Sequence, residues 1–152
     1  MIPTLSGRTQ TRLFLFVFLG LPITALFAYA HNGWVWDWGQ AQIFFLFLTT
    51  LLGVGLLLDP VYIFIQSVRW DRDWPFAFQF FFSIIEFGIV VGLMFNDLIP
   101  WLPMAGGKGA IELQTVTLHF TSVFIPSFLA LLGPLSVFFI RWRFKAGQFG
   151  KL

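Results

Sequence analysis

The side chains best able to do chemistry in this sequence are Glu86, Asp59 and His119, and each lies inside a long apolar run. An ionisable group at membrane depth is costly to hold there and is read by default as functional. Gln79, Ser83 and Glu86 are spaced four and three residues apart, so they share one face of a helix. His119 and Ser122 share a face in the same way, as do Gln114, Thr117 and Thr121. Such faces suit a polar strip lining a cavity between helices. Glu86 could anchor the polar group of a lipophilic molecule or carry a proton. The bland alternatives stay open beside these. Ser, Thr and Gln often only tie membrane helices together, Glu86 can be a neutral acid hydrogen-bonded to a neighbour, and His119 can be a structural hydrogen-bonder. Asp59 precedes Pro60, where a kink would free a carbonyl and admit water.

Much is excluded by what the sequence lacks. It has no cysteine, which removes disulfides, thiolate metal sites, iron–sulfur clusters and cysteine nucleophiles. His31 is the one other histidine and falls in a turn, so a bis-histidine haem is not expected, although a single axial ligand to a chlorophyll-like pigment stays open. No metal site and no cofactor are expected. There is no G-x-S-x-G, no H-E-x-x-H and no phosphate-binding loop, and Gly106-Gly107-Lys108-Gly109 reads as a flexible turn. No soluble-enzyme motif is present, and the reading leans away from an enzyme.

The elements that must position these residues are membrane spans. The 152-residue chain is 58% hydrophobic and 11% charged, against about 25% charged in ordinary domains. Four apolar runs, near 13–30, 41–68, 75–96 and 113–140, are long enough to cross hydrocarbon. The expected fold is all-α, a four-helix transmembrane bundle forming a single domain over 1–152. Met1–Arg12 reads as a short polar lead. It also fits the n-region of a secretory signal ending at Ala28-Tyr29-Ala30, with a retained first helix the favoured reading. Pro22 and Pro60 are expected to kink spans one and two, Pro75 to open span three, and Pro126 and Pro134 to interrupt span four. Asp97–Glu112 reads as loop from its prolines and glycines. Gly88-x-x-x-Gly92 reads as a face for close helix approach, with Gly53 and Gly55 as its counterpart.

Charge orients the bundle. With four spans both termini share one side, which then holds Arg8, Arg12, Arg69, Arg72, Arg141, Arg143, Lys145 and Lys151, against Lys108 on the other. The positive-inside rule places that side, with both termini, in the cytoplasm. Trp34, Trp36, Trp38 and Trp101 fall at one interface and Trp70, Trp74 and Trp142 at the other, as an aromatic belt does. The basic residues sit at span ends, so no nucleic-acid partner is read from the charge. Counting at about 1.5 Å per residue puts Glu86 about 16 Å and Asp59 about 15 Å from the cytoplasmic edge. His119 falls about 9 Å below the opposite edge. The three groups are therefore within reach of one another if they face inward.

The span number, the Gly20–Thr24 run GLPIT, the texture of Phe78–Asp97 and a proline-bearing fourth span resemble the emopamil-binding-protein (EXPERA) superfamily. That resemblance implies a compact four-span fold with an intramembrane cavity, used by some members for sterol isomerisation and by others for lipophilic ligands. The isomerases place a histidine and acids in their first two spans. Here span one holds neither, and Thr49–Thr50 stands where an acid would be sought, so binding is the part of the implication that carries over. Three functions follow as expectations. The first is a lipophilic small molecule bound by Glu86, with His119, Asp59, Gln79, Ser83 and Ser122 around it. The second is an accessory or assembly subunit, partnered by a larger membrane complex or by a second copy. The third is a proton-coupled transporter or proton pathway.

Overall fold

The computed structural model describes residues 4–68, 75–102 and 111–135. Those residues are all-α, without a strand. They include four helices long and apolar enough to cross a membrane: α1 (Leu5–His31), α2 (Trp38–Val68), α3 (Phe76–Phe95) and α4 (Leu113–Leu132). The charged turn 69–74, the glycine-rich stretch 103–110 and everything beyond 135 lie outside the described residues. With them go the expected tail of span four, the basic residues Arg69, Arg72, Lys108, Arg141, Arg143, Lys145 and Lys151, and Trp70, Trp74 and Trp142.

The first helix corrects the sequence reading most. It starts at Leu5, not near residue 13, so Arg8 and Arg12 are helical and not part of a polar lead. Thr4 caps it, its Oγ1 accepting from the Gly7 N–H at 3.1 Å, which satisfies one of the orphan donors of the first turn. The helix continues through its arginines because both find a place inside the bundle. Pro22 does not end it either. A π-helical turn over Phe16–Gly20 comes first, and the Leu21 N–H reaches back to the Phe16 carbonyl. The wider turn accommodates a proline that lacks an N–H and whose ring crowds the carbonyl four residues earlier.

The helix ends are set by local chemistry. After α1, the Gly33 N–H bonds to the Ala30 carbonyl and the Trp34 N–H to the Tyr29 carbonyl. This is a Schellman closure, with Gly33 at φ 66° supplying the left-handed residue. After α3, Asp97 at φ 51° takes that role, with Asp97 and Leu98 donating to Met94 and Leu93. Asp37 opens α2 by accepting from the Gly39 N–H at 2.8 Å. Pro75 precedes the first turn of α3 as its cap residue, and α2 and α4 run on through Pro60 and Pro126.

Each helix packs on the next, and α4 packs back on α1, so α1 and α3 face each other across the diagonal. The apolar core is built around Phe47, Val90, Met94, Val116 and Phe120. The connection after α3 contributes to it: Ile99 and Leu102 fold back into the core, and the Trp101 indole N–H donates to Thr50 Oγ1 at 3.1 Å. Among the described residues the Gly88-x-x-x-Gly92 face does not meet another helix. A methyl group on Gly53, Gly88 or Gly92 would find nothing within 4 Å. The close approaches are instead at Gly20, against Leu48, and at Gly55, where a methyl would collide with the Arg12 guanidinium.

Candidate functional site

Asp59 and Glu86 meet on one cation. Arg12 Nε donates to Oδ1 and Oδ2 of Asp59 at 3.1 and 3.0 Å. Arg12 Nη2 is shared between Asp59 Oδ1 at 3.0 Å and Glu86 Oε1 at 2.6 Å, and Nη1 donates to Glu86 Oε2 at 3.0 Å. The guanidinium fork thus holds a carboxylate on each of two edges, a geometry lysine cannot reproduce. Both acids are buried, at 0% and 4% exposure.

The first three helices each contribute to the cluster. On α1, Arg8 and Arg12 are one turn apart and face the same way. On α2, Gly55, Asp59, Tyr62 and Gln66 are all buried at spacings of four, three and four. Gly55 leaves the gap through which Arg12 crosses the diagonal from α1 to Glu86 on α3. Arg8 is also buried, its guanidinium 5.9 Å from the centre of the Tyr62 ring. It lies within electrostatic reach of Asp59, Tyr62 and Glu86. Among the described residues, two arginines and two carboxylates therefore form a seam with no net formal charge. That balance is how two acids persist among apolar helices where an isolated ion would be strongly disfavoured.

Beside the seam lies a partly open cavity of about 130 Å³ that touches all four helices. Its polar wall is Arg12, Gln79, Ser83 and Glu86. Leu48, Leu51 and Leu52 of α2 form another wall, and Phe120, Phe124 and Phe128 of α4 a third, with Ser127 as its polar member. The three phenylalanines stack along α4, with ring centres 5.2 and 5.7 Å apart. The face of Gln79, Ser83 and Glu86 inferred from spacing therefore does turn toward a space. Ser83 donates its hydroxyl hydrogen to the Gln79 carbonyl at 2.8 Å. The Gln79 side-chain amide makes no hydrogen bond among the described residues.

His119 stands elsewhere. It is wholly buried, its Nε2 2.9 Å from Thr24 Oγ1. The rings of Phe27, Phe44 and Phe47 surround it at 5.1, 5.3 and 5.7 Å. Its Nδ1 has no hydrogen-bond partner among the described residues. Ser122 does not join it, because its hydroxyl donates to the Leu118 carbonyl one turn back. Gln114, Thr117 and Thr121 are exposed on the outside of α4, so the polar face expected there does not line a cavity. Thr49, Thr50, Thr117 and Thr121 all donate to carbonyls of their own helix, the local solution open to hydroxyls in lipid.

Sequence reasoning missed Arg8, Arg12, Tyr62, Gln66, Thr24 and Gly55. One signal was available: Asp59, Tyr62 and Gln66 repeat at helical spacing on the face that carries the acid. Among the described residues no group of three or more His, Asp or Glu side chains could hold a metal ion. No family model matches the chain, and no curated protein or solved structure was found to be similar to it.

Proposed function

We propose that this multi-pass membrane protein binds a lipophilic small molecule in the cavity beside Arg12 and Glu86. The observation that carries the reading is the make-up of the walls: a polar strip of Arg12, Gln79, Ser83 and Glu86 faces leucine and phenylalanine across one space. Apolar pockets with a few convergent polar groups are what ligand sites are made of. At about 130 Å³ the space is smaller than the roughly 300–1,000 Å³ of enclosed drug-sized sites. It suits the head and first part of a longer molecule whose remainder lies among lipid tails. Asp59 holds Arg12 and does not line the cavity, while His119 and Ser122 stand outside this role. The test plugs the space without touching a charge. Lipophiles that co-purify with the wild-type protein in mild detergent are identified by mass spectrometry and compared with those carried by Leu52→Trp. Loss of a specific species in the variant is expected; the same molecules on both proteins would end the proposal.

A second reading, that the chain is a subunit of a larger membrane assembly, is favoured by the unused glycine face. Gly88 and Gly92 have no other described residue close in front of them and lie next to exposed Ile85 and Ile89, and small residues at this spacing let another helix come close. Mild-detergent purification separates the two readings, because a stable companion that dissociates in Gly88→Leu/Gly92→Leu supports the assembly role. In either role we place both termini on the cytoplasmic side from the six basic residues of that side that lie outside the described helices, Arg69, Arg72, Arg141, Arg143, Lys145 and Lys151, against Lys108 opposite.

A further inference from the structure

The charges around the cavity say what kind of head group it would take. We infer that the ligand's polar head is uncharged, a carbonyl, hydroxyl or amide, and that Gln79 is the side chain that reads it. This rests on the cavity reading above and goes beyond it by naming the chemical class.

The fixed charges of the described residues are already matched. Arg12 and Glu86, the charged residues of the polar wall, are paired with each other, and Asp59 and the nearby Arg8 complete a seam with no net formal charge. A carboxylate or phosphate arriving here would have to displace Glu86 from Arg12. An ammonium would have to take an oxygen from Arg12. Either would leave a surplus ion in a medium of low dielectric, where desolvation is not repaid by an equal partner. A neutral head breaks no pair.

The hydrogen-bonding capacity left over points the same way. Four of the five guanidinium N–H donors of Arg12 are engaged by the two acids. Ser83 has given its hydrogen to the Gln79 backbone carbonyl but keeps lone pairs, and Ser127 adds one hydroxyl on the phenylalanine wall. The Gln79 amide is uncommitted among the described residues and lines the cavity one turn from Ser83. An amide offers two donors and an acceptor in one plane, and in an apolar surrounding each costs free energy until it is matched. A neutral carbonyl, hydroxyl or amide matches them, and the leucine and phenylalanine walls take the rest of the molecule.

Photo-crosslinking in lipid nanodiscs tests this, using three diazirine-bearing hexadecyl probes that differ only at the head: an alcohol, a carboxylic acid and an amine. The alcohol is expected to label peptides spanning Leu48–Leu52 or Phe120–Phe128, with competition by unlabelled hexadecanol and not by palmitate or hexadecylamine. Gln79→Leu should lower that labelling about fivefold, the loss expected for a hydrogen bond to a neutral group. Ser83→Ala, which keeps the charges and the volume nearly unchanged, should lower it less. Circular dichroism and gel filtration confirm that both variants are folded. Acid or amine labelling these peptides as strongly as the alcohol would overturn the head-group class and leave the cavity reading standing. Equal labelling of wild type and Gln79→Leu would remove Gln79 from the site. Labelling of these peptides by none of the probes would overturn both.

Discussion

The Arg12–Asp59–Glu86 seam and the His119 cage are both polar groups sealed among apolar helices, and they are satisfied in opposite ways. The seam is over-connected: one guanidinium makes contacts with both oxygens of two carboxylates, and Arg8 and Tyr62 stand against it. The cage is under-connected: one hydrogen bond to Thr24, three phenylalanine rings and an unmatched Nδ1. The difference follows from charge. Two ionised carboxylates among apolar helices need a cation beside them, whereas a neutral imidazole can be wrapped in aromatic rings and lose only part of a hydrogen-bond inventory. A cavity opens beside the seam, where polar capacity is left over next to a void, and His119 itself lines neither of the cavities that flank it.

The largest break in that comparison is Arg12→Met. It leaves Asp59 and Glu86 facing each other without their cation, and removing one partner of a buried ionic cluster costs about 3–5 kcal/mol. Unfolding followed in mixed micelles should show that loss. The sharper version is the triple variant Arg12→Met/Asp59→Leu/Glu86→Leu, which removes every charge of the triad. If the triad serves register and ligand binding more than stability, the triple variant should regain most of what the single one loses. Arg12→Lys keeps the charge but cannot hold both carboxylates in a fork, so it should fall between the two.

Next in size is Gly55→Ala. The added methyl meets the guanidinium, which is pinned at both ends and cannot swing aside. Overpacking of this kind costs about 1–3 kcal/mol. Gly53→Ala, two residues away with nothing in front of it, is the matched control and should be neutral in the same unfolding measurement. A loss at Gly53 equal to that at Gly55 would place the cost in the helix and not in the crossing of Arg12.

These variants also mark where the sequence could be read and where it could not. The four helices follow from hydropathy alone, because in lipid a helix is the one open-ended element that satisfies its own backbone. The level of Asp59 and Glu86 followed from counting 1.5 Å per residue, and the structure does join them. Arg12 was not legible because an arginine at the edge of an apolar run ordinarily snorkels outward to the interface, and nothing local to Thr9–Leu13 says that it turns inward. That depends on Gly55, forty-three positions away. The glycine repeat of α3 misled for the converse reason. Spacing shows that a face is smooth, not which helix, if any, lies against it.

Sidedness can be tested cheaply, since the chain contains no cysteine. Ser6→Cys lies at the start of α1 and Asn32→Cys just beyond its end. In intact cells a membrane-impermeant maleimide should modify the second and not the first. The opposite pattern would place the seam nearer the outer leaflet and reverse the assignment made from the basic residues.

The smallest expected effect belongs to the cage. A double-mutant cycle over Thr24→Val and His119→Leu isolates their hydrogen bond, and bonds between membrane helices average about 0.6 kcal/mol in such cycles. The pair is fully buried and is the one polar tie described between α1 and α4, so an outcome near that average means that His119 is held chiefly by its phenylalanines. A coupling several times larger would show that imidazole and hydroxyl belong to a wider network reaching Nδ1. The contrast between a connected seam and a nearly isolated histidine would then have to be redrawn as two connected networks, one charged and one neutral.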